Sequence, residues 1–199
     1  MIEALERRLA MHAAHAVLNR DGVLELEGSG MKDVIGLARA SSRLLVSFKY
    51  YATQSFDYES VKSISVLALG GNDIVKVAND ILQPIRMDGG DGDDYMQGGG
   101  GKDKLVGGAG RDTLIGQDGN DVLRGEGDKD VLKGGAGNDR LYGGDGNDAL
   151  TGEAGRDTLI GEAGNDSLLA RDKEADVLNG GPGKDRGEWD KKDSRKRLP

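Results

Sequence analysis

The chain has 199 residues, with 27 Lys and Arg against 35 Asp and Glu, a formal net charge of −8 and no cysteine. Disulfides and thiolate sites are therefore excluded, and no apolar run reaches the length of about 18 residues that a transmembrane helix needs. Residues 89–188 hold 22 acidic and 12 basic groups, which disfavours nucleic acid as a partner and favours a cation.

Residues 1–20 form the first segment. Arg7 and Arg8 precede a short Ala-rich stretch, and Ala14-His15-Ala16 fits a small-residue cleavage pattern. Glu3, Glu6, His12 and His15 are foreign to the basic flank and apolar centre of a secretory signal. The segment reads as a leader or an N-terminal arm. It is similar to the short E-x-L-E-x-R leader of some bacterial surface proteins. His12 and His15 make two ligands at most, and two histidines without cysteine cannot build an array of zinc sites.

Residues 21–88 come next. Gly22–Gly30 (GVLELEGSG), Leu44–Tyr51 (LLVSFKYY) and Ser63–Leu69 (SISVLAL) alternate like strands. Phe48, Tyr50, Tyr51 and Phe56 read as packing residues. Two stretches, GSGMKDVIG with Asp33 and Ile35, and ALGGNDIVK with Asp73 and Val75, are degenerate copies of a nine-residue unit that dominates the next segment. Residues 21–88 are predicted to be an irregular β or β-helical cap, with no metal or one weak site. An open solenoid end requires such a cap.

Residues 89–188 repeat every nine residues. Units begin at Gly89, Gly98, Gly107, Gly116, Gly125, Gly134, Gly143, Gly152, Gly161, Arg171 and Gly180, with Ala170 as one extra residue. Position six is aspartate throughout: Asp94, Asp103, Asp112, Asp121, Asp130, Asp139, Asp148, Asp157, Asp166, Asp176 and Asp185. Position eight is Leu105, Leu114, Leu123, Leu132, Leu141, Leu150, Leu159, Leu168 and Leu178, with Met96 before them and Gly187 after. Positions seven to nine carry β-forming residues and predict a three-residue strand. Positions one to six, rich in Gly, Asp and Asn, predict a turn. Two units would close one flat coil of 18 residues. Stacked coils give an all-β parallel solenoid, a β-roll or β-helix, with the leucines of two sheets meeting inside. Residues 189–199 leave the pattern, turn basic and are expected to fray, with Trp189 at the packing edge.

One leucine per nine residues is a small apolar return for ordering nine glycine-rich residues. Stacked strands lie about 4.8 Å apart, so like charges at position six accumulate in columns. A hard cation between the aspartates resolves both problems. Calcium takes six to eight oxygens and accepts carboxylates and backbone carbonyls together, whereas magnesium prefers strict octahedral geometry and keeps its waters.

The pattern G-G-x-G-x-D with an apolar residue at position eight resembles the repeats-in-toxin (RTX, hemolysin-type) calcium-binding family. The resemblance covers residues 89–188. It implies a parallel β-roll with calcium held between turns two units apart. The implied ligands are Asp94, Asp103, Asp112, Asp121, Asp130, Asp139, Asp148, Asp157, Asp166 and Asp176. The carbonyls come from positions one to four: Gly89, Gly90, Gly92, Gly98, Gly99, Gly101, Gly107, Gly108, Gly110, Gly116, Gly119, Gly134, Gly135, Gly137, Gly143, Gly144 and Gly146. Pairing units two apart gives one column from Asp94, Asp112, Asp130, Asp148, Asp166 and Asp185, and a second from Asp103, Asp121, Asp139, Asp157 and Asp176, with about seven to nine sites in all. Asp128 replaces a position-four glycine, the Arg171 unit has no glycine, and Gly187 leaves Asp185 a terminal ligand. The resemblance further implies a bacterial protein that is exported and folds on meeting calcium outside the cell. The short basic tail departs from the family's usual C-terminal export segment.

No Ser/His or Cys/His arrangement suggests a nucleophile, so the expected function is calcium binding by a non-enzymatic, secreted or cell-surface structural protein. It is expected to be monomeric, with cell-surface or matrix polymers as candidate partners. The alternative is an accessory repeat module of a secreted toxin, adhesin or hydrolase whose active domain lies on another chain.

Overall fold

A computed structural model describes residues 15–49 and 51–196. The leader reading over 1–14, His12, Tyr50 and the last three residues with Arg197 lie outside it. The described chain is all-β, with one short 3-10 turn at Tyr58–Ser60 and no α-helix.

Twenty strands form two ten-stranded sheets, and the chain passes from one sheet to the other at nearly every step. In one sheet the strands Ile85–Asp91, Lys104–Ala109, Val122–Gly127, Arg140–Asp145, Thr158–Ala163 and Val177–Asn179 lie side by side and parallel. In the other, Tyr95–Gln97, Thr113–Asp118, Val131–Ala136, Ala149–Ala154 and Ser167–Ala170 do the same. This is a parallel β-solenoid of the β-roll kind, as the nine-residue period predicts.

The register places Leu105 beside Leu123, then Leu141, Leu159 and Leu178. The facing sheet aligns Met96, Leu114, Leu132, Leu150 and Leu168. Each of these side chains is at most 1% exposed. The core of the repeat region is thus two files of single side chains, with little else to bury.

The strands are longer than expected. Thr113–Asp118 covers positions seven to nine of one unit and one to three of the next. Position one therefore lies inside the strand, and the turn shrinks to positions four to six. The glycine that occupies position one is there for a steric reason, which lies in the aspartates described below.

The N-terminal segment belongs to the same two sheets. Val23–Glu27 and Ser63–Leu67 continue one sheet in parallel, and Val34–Ala40 and Ile74–Val77 continue the other. Antiparallel additions then close this end: His15–Leu18 on the first sheet, and Arg43–Phe48 followed by Gln54–Asp57 on the second. Leu24, Leu44, Val46, Phe48, Tyr58 and Ile64 pack densely there. Such antiparallel strands shield the open end of a stack.

At the other end, the tail does not fray where it is described. Arg186–Trp189 pairs with Ser167–Ala170, and Ser194–Lys196 pairs with Val177–Asn179. Gly187 sits beside Leu168, and the partly buried Trp189 packs against the core next to Ala170.

Candidate metal centre

Each position-six aspartate is buried, from 0 to 5% exposed. The two oxygens of each carboxylate have different surroundings. Oδ1 accepts the backbone N–H of the aspartate one coil earlier: Asp94 donates to Asp112, Asp112 to Asp130, Asp130 to Asp148, Asp148 to Asp166 and Asp166 to Asp185, at 2.8–3.0 Å. The second column runs from Asp103 through Asp121, Asp139, Asp157 and Asp176 at 2.7–2.8 Å. These are the two columns that pairing units two apart predicts.

Oδ2 has no hydrogen-bond partner in Asp94, Asp112, Asp121, Asp130, Asp139, Asp148, Asp157, Asp166, Asp176 and Asp185, although each atom is buried. Asp103 is the exception among the repeat aspartates, because Gly99 N–H donates to its Oδ2 at 2.7 Å. An unpaired buried carboxylate oxygen is costly, and a row of them is a candidate set of cation ligands.

The glycines make room for this arrangement. A β-carbon added at Gly134 would lie 2.3 Å from Asp139 Oδ2 and 2.7 Å from the Gly152 carbonyl. The same holds at Gly89, Gly98, Gly107, Gly116 and Gly143, with 2.2–2.5 Å to the aspartate of the same unit. Position one is glycine because the carboxylate folds back over it. At position four the constraint differs. Gly137 has φ +134°, and an added β-carbon would lie 1.5 Å from the Gly119 carbonyl of the coil before. Gly92, Gly110, Gly119 and Gly146 repeat this, each against the position-four carbonyl one coil back. At position two, carbonyls of Gly90, Gln117 and Glu126 stack against Gly108, Gly135 and Gly144. Gly99 and Gly101 instead face carbonyls of Ile81, Leu82 and Gln83. Carbonyl oxygens therefore line each turn column beside the orphaned carboxylate oxygens.

Among the described residues, no three carboxylate or histidine side chains converge on one point. A cation here would take most of its oxygens from the backbone, a donor mix that suits calcium.

Burial makes the column aspartates weaker acids and raises their pKa values. Desolvation pushes Asp121 up to about 8, and Asp112, Asp130 and Asp157 to about 7, with neighbouring aspartates adding to the rise and the backbone N–H bonds opposing it. Asp103, Asp139, Asp166 and Asp176 rise to about 6, and Asp94 and Asp148 also rise. A divalent cation would reverse this by favouring the ionised form.

Residues 86–114, 106–141, 115–150 and 142–171 each match the RTX calcium-binding nonapeptide repeat. Residues 86–171 are RTX calcium-binding repeats. The match spans the glycine turns from Gly89 to Gly164, the orphaned oxygens from Asp94 to Asp166 and the leucine files as far as Leu168. No curated protein and no solved structure matches the chain. The orphaned Oδ2 atoms fit the calcium that RTX repeats bind. Asp94, Asp112, Asp121, Asp130, Asp139, Asp148, Asp157 and Asp166 would supply carboxylate oxygens, and the turn glycines carbonyls. Calcium would provide charge neutralisation along each column.

Three features within and just beyond the RTX repeats were not legible as site features. Position five forms an outer ladder, in which Asn120 Oδ1 accepts Asn138 N–H, Asn138 Oδ1 accepts Arg156 N–H, and Asn147 Oδ1 accepts Asn165 N–H at 2.7–2.8 Å. The recurrence of Asn at position five was the available signal. Asp193 continues the second column by accepting Asp176 N–H at 3.1 Å. The glycine-free turn after Arg171 is repaired by Asp172, whose Oδ2 accepts Gly155 N–H at 2.7 Å where other turns offer a backbone carbonyl, as Ala154 does to Gly137.

Proposed function

We propose that the protein is an exported, non-enzymatic structural protein whose RTX roll folds when calcium binds. The observation that carries this reading is the line of buried, partnerless Oδ2 atoms in both columns. Calcium binding to the folded form alone would convert binding free energy into folding free energy. Several ions are bound in each column. In a low-calcium cytoplasm the chain stays open and suited to export; outside, it closes into a monomeric rod at or near the cell surface. A polymer of the surface or matrix is the partner. Arg86, Lys104, Arg124 and Arg140 support that choice, since they stand exposed on neighbouring strands of one outer sheet face.

Circular dichroism and calorimetry of the full chain test the reading. Chelated protein should lack β-structure in the roll, calcium in the millimolar range or below should restore it, and magnesium should do little. An unchanged β-sheet spectrum after exhaustive chelation at neutral pH would refute it.

A further inference from the structure

The turn Leu69–Asp73 lies before the RTX match, which begins at residue 86, and its sequence breaks the repeat. Position one is Ala68 and position two is Leu69. Its geometry nonetheless reproduces a repeat turn. Leu69 has φ 79°, identical to Gln117 at position two of a repeat, and Gly71 has φ 116° where Gly110 has 118°. The Leu69 and Gly71 carbonyls lie 1.7 and 1.9 Å from where β-carbons on Gly90 and Gly92 would stand. Asp73 donates its N–H to Asp94 Oδ1 at 2.7 Å and accepts Asp33 N–H on its own Oδ1 at 2.6 Å. It is thus a full member of the first column.

Asp73 is 1% exposed, and its Oδ2 is buried with no donor. Ala68 sharpens the point. In the repeats Oδ2 occupies the space next to a position-one glycine, whereas Ala68 carries a methyl group there. Asp73 Oδ2 finds no partner beside this substituted position either.

One coil earlier the situation changes. Asp33 Oδ2 accepts both the N–H and the hydroxyl of Ser29, at 2.7 and 2.9 Å. Asp103, at the head of the second column, is closed in the same manner by Gly99 N–H. Both columns therefore begin with a carboxylate whose second oxygen is already satisfied by the residue at position two.

We propose that a further calcium ion is held at the Leu69–Asp73 turn, outside the RTX repeats, by the Asp73 carboxylate together with carbonyl oxygens of that turn and the next. Asp33 and Asp103 are hydrogen-bonded caps that end the two cation ladders and are not ligands. The inference rests on calcium binding by the RTX columns.

Calcium stoichiometry of the full chain, measured by equilibrium dialysis with elemental analysis, tests it. Asp73→Asn keeps the Oδ1 acceptor and should lose one ion per chain, while Asp33→Asn and Asp103→Asn should lose none. Full stoichiometry in Asp73→Asn would overturn the site, and ion loss in Asp103→Asn would overturn the capping role. Should a variant fold poorly, amide chemical shifts of the unaltered protein decide the site. Gly71 and Asn72 should shift on calcium titration along with Gly92 and Gly110. Shifts at Gly92 and Gly110 with none at Gly71 and Asn72 would refute the added ion. Absence of any binding by the unaltered chain would instead refute the calcium reading as a whole.

Discussion

Asp139 holds the coil before it with one oxygen and leaves the other unused: Oδ1 accepts Asp121 N–H at 2.8 Å, and Oδ2 is buried without a donor. The two atoms separate scaffold from ligand. An asparagine preserves the first and abolishes the charge of the second.

Asp139→Asn is accordingly expected to fold in calcium but to bind it roughly tenfold or more weakly at the sites it serves, because affinity follows ligand charge. The loss should follow its own column. Amide shifts at Gly119, Asn120 and Gly155 should respond to calcium later than those at Gly110 and Gly146. Equal delay in both columns would contradict the pairing across one coil.

Gly134→Ala tests the space reserved for the carboxylate. The added methyl would stand 2.3 Å from Asp139 Oδ2. The carboxylate or the strand must move, at a cost of about 1–3 kcal/mol. Thermal unfolding of the calcium-loaded protein should show a lower midpoint. Gly30→Ala is the control, since no atom lies within 4 Å of the added carbon and only its φ of 72° opposes it.

Acid should partly replace calcium. The folded columns hold protons up to about pH 6–8, whereas an unfolded aspartate releases them near 3.8. The metal-free fold binds more protons than the unfolded chain in that window, so its stability falls as pH rises through it. In chelator, the β-sheet circular dichroism signal should grow between pH 8 and pH 5. Calcium affinity should move the other way and weaken as pH falls, because protons and calcium compete for the same oxygens.

Leu123→Ala should cost about 2–5 kcal/mol, as for other fully buried leucines. Leu123 is 0% exposed and sits between Leu105 and Leu141 in its file. With one core side chain per unit, no neighbour can fill the gap. Calcium titration followed by circular dichroism should show a higher midpoint for folding.

The columns and the leucine files were legible because Asp and Leu keep a fixed phase over many units, and a parallel stack turns phase directly into alignment. The strand boundaries were not. Glycine at position one looks like a turn residue by composition. Its cause is the Asp139-type carboxylate lying against it, a contact no local propensity encodes. Asp193 was hidden because Arg195 stands at its position eight, so the apolar half of the signature is missing. Ser194–Lys196 joins the sheet through backbone pairing that the preceding strand provides. The antiparallel strands Arg43–Phe48 and Gln54–Asp57 alternate correctly in sequence, but strand direction is set by their neighbours and not by alternation.

The alternation of sheets along the chain also governs how such a rod can change in length. Duplicating one full coil adds a layer and returns every later residue to its former side. Duplicating a single unit would instead transpose everything downstream, moving Arg140 and Tyr142 to the opposite flank and Asp139 to the other row of ions. The hydrophobic files would tolerate either event, since both present the same leucine. The exterior would not, so the heritable increment of this architecture is the pair of units.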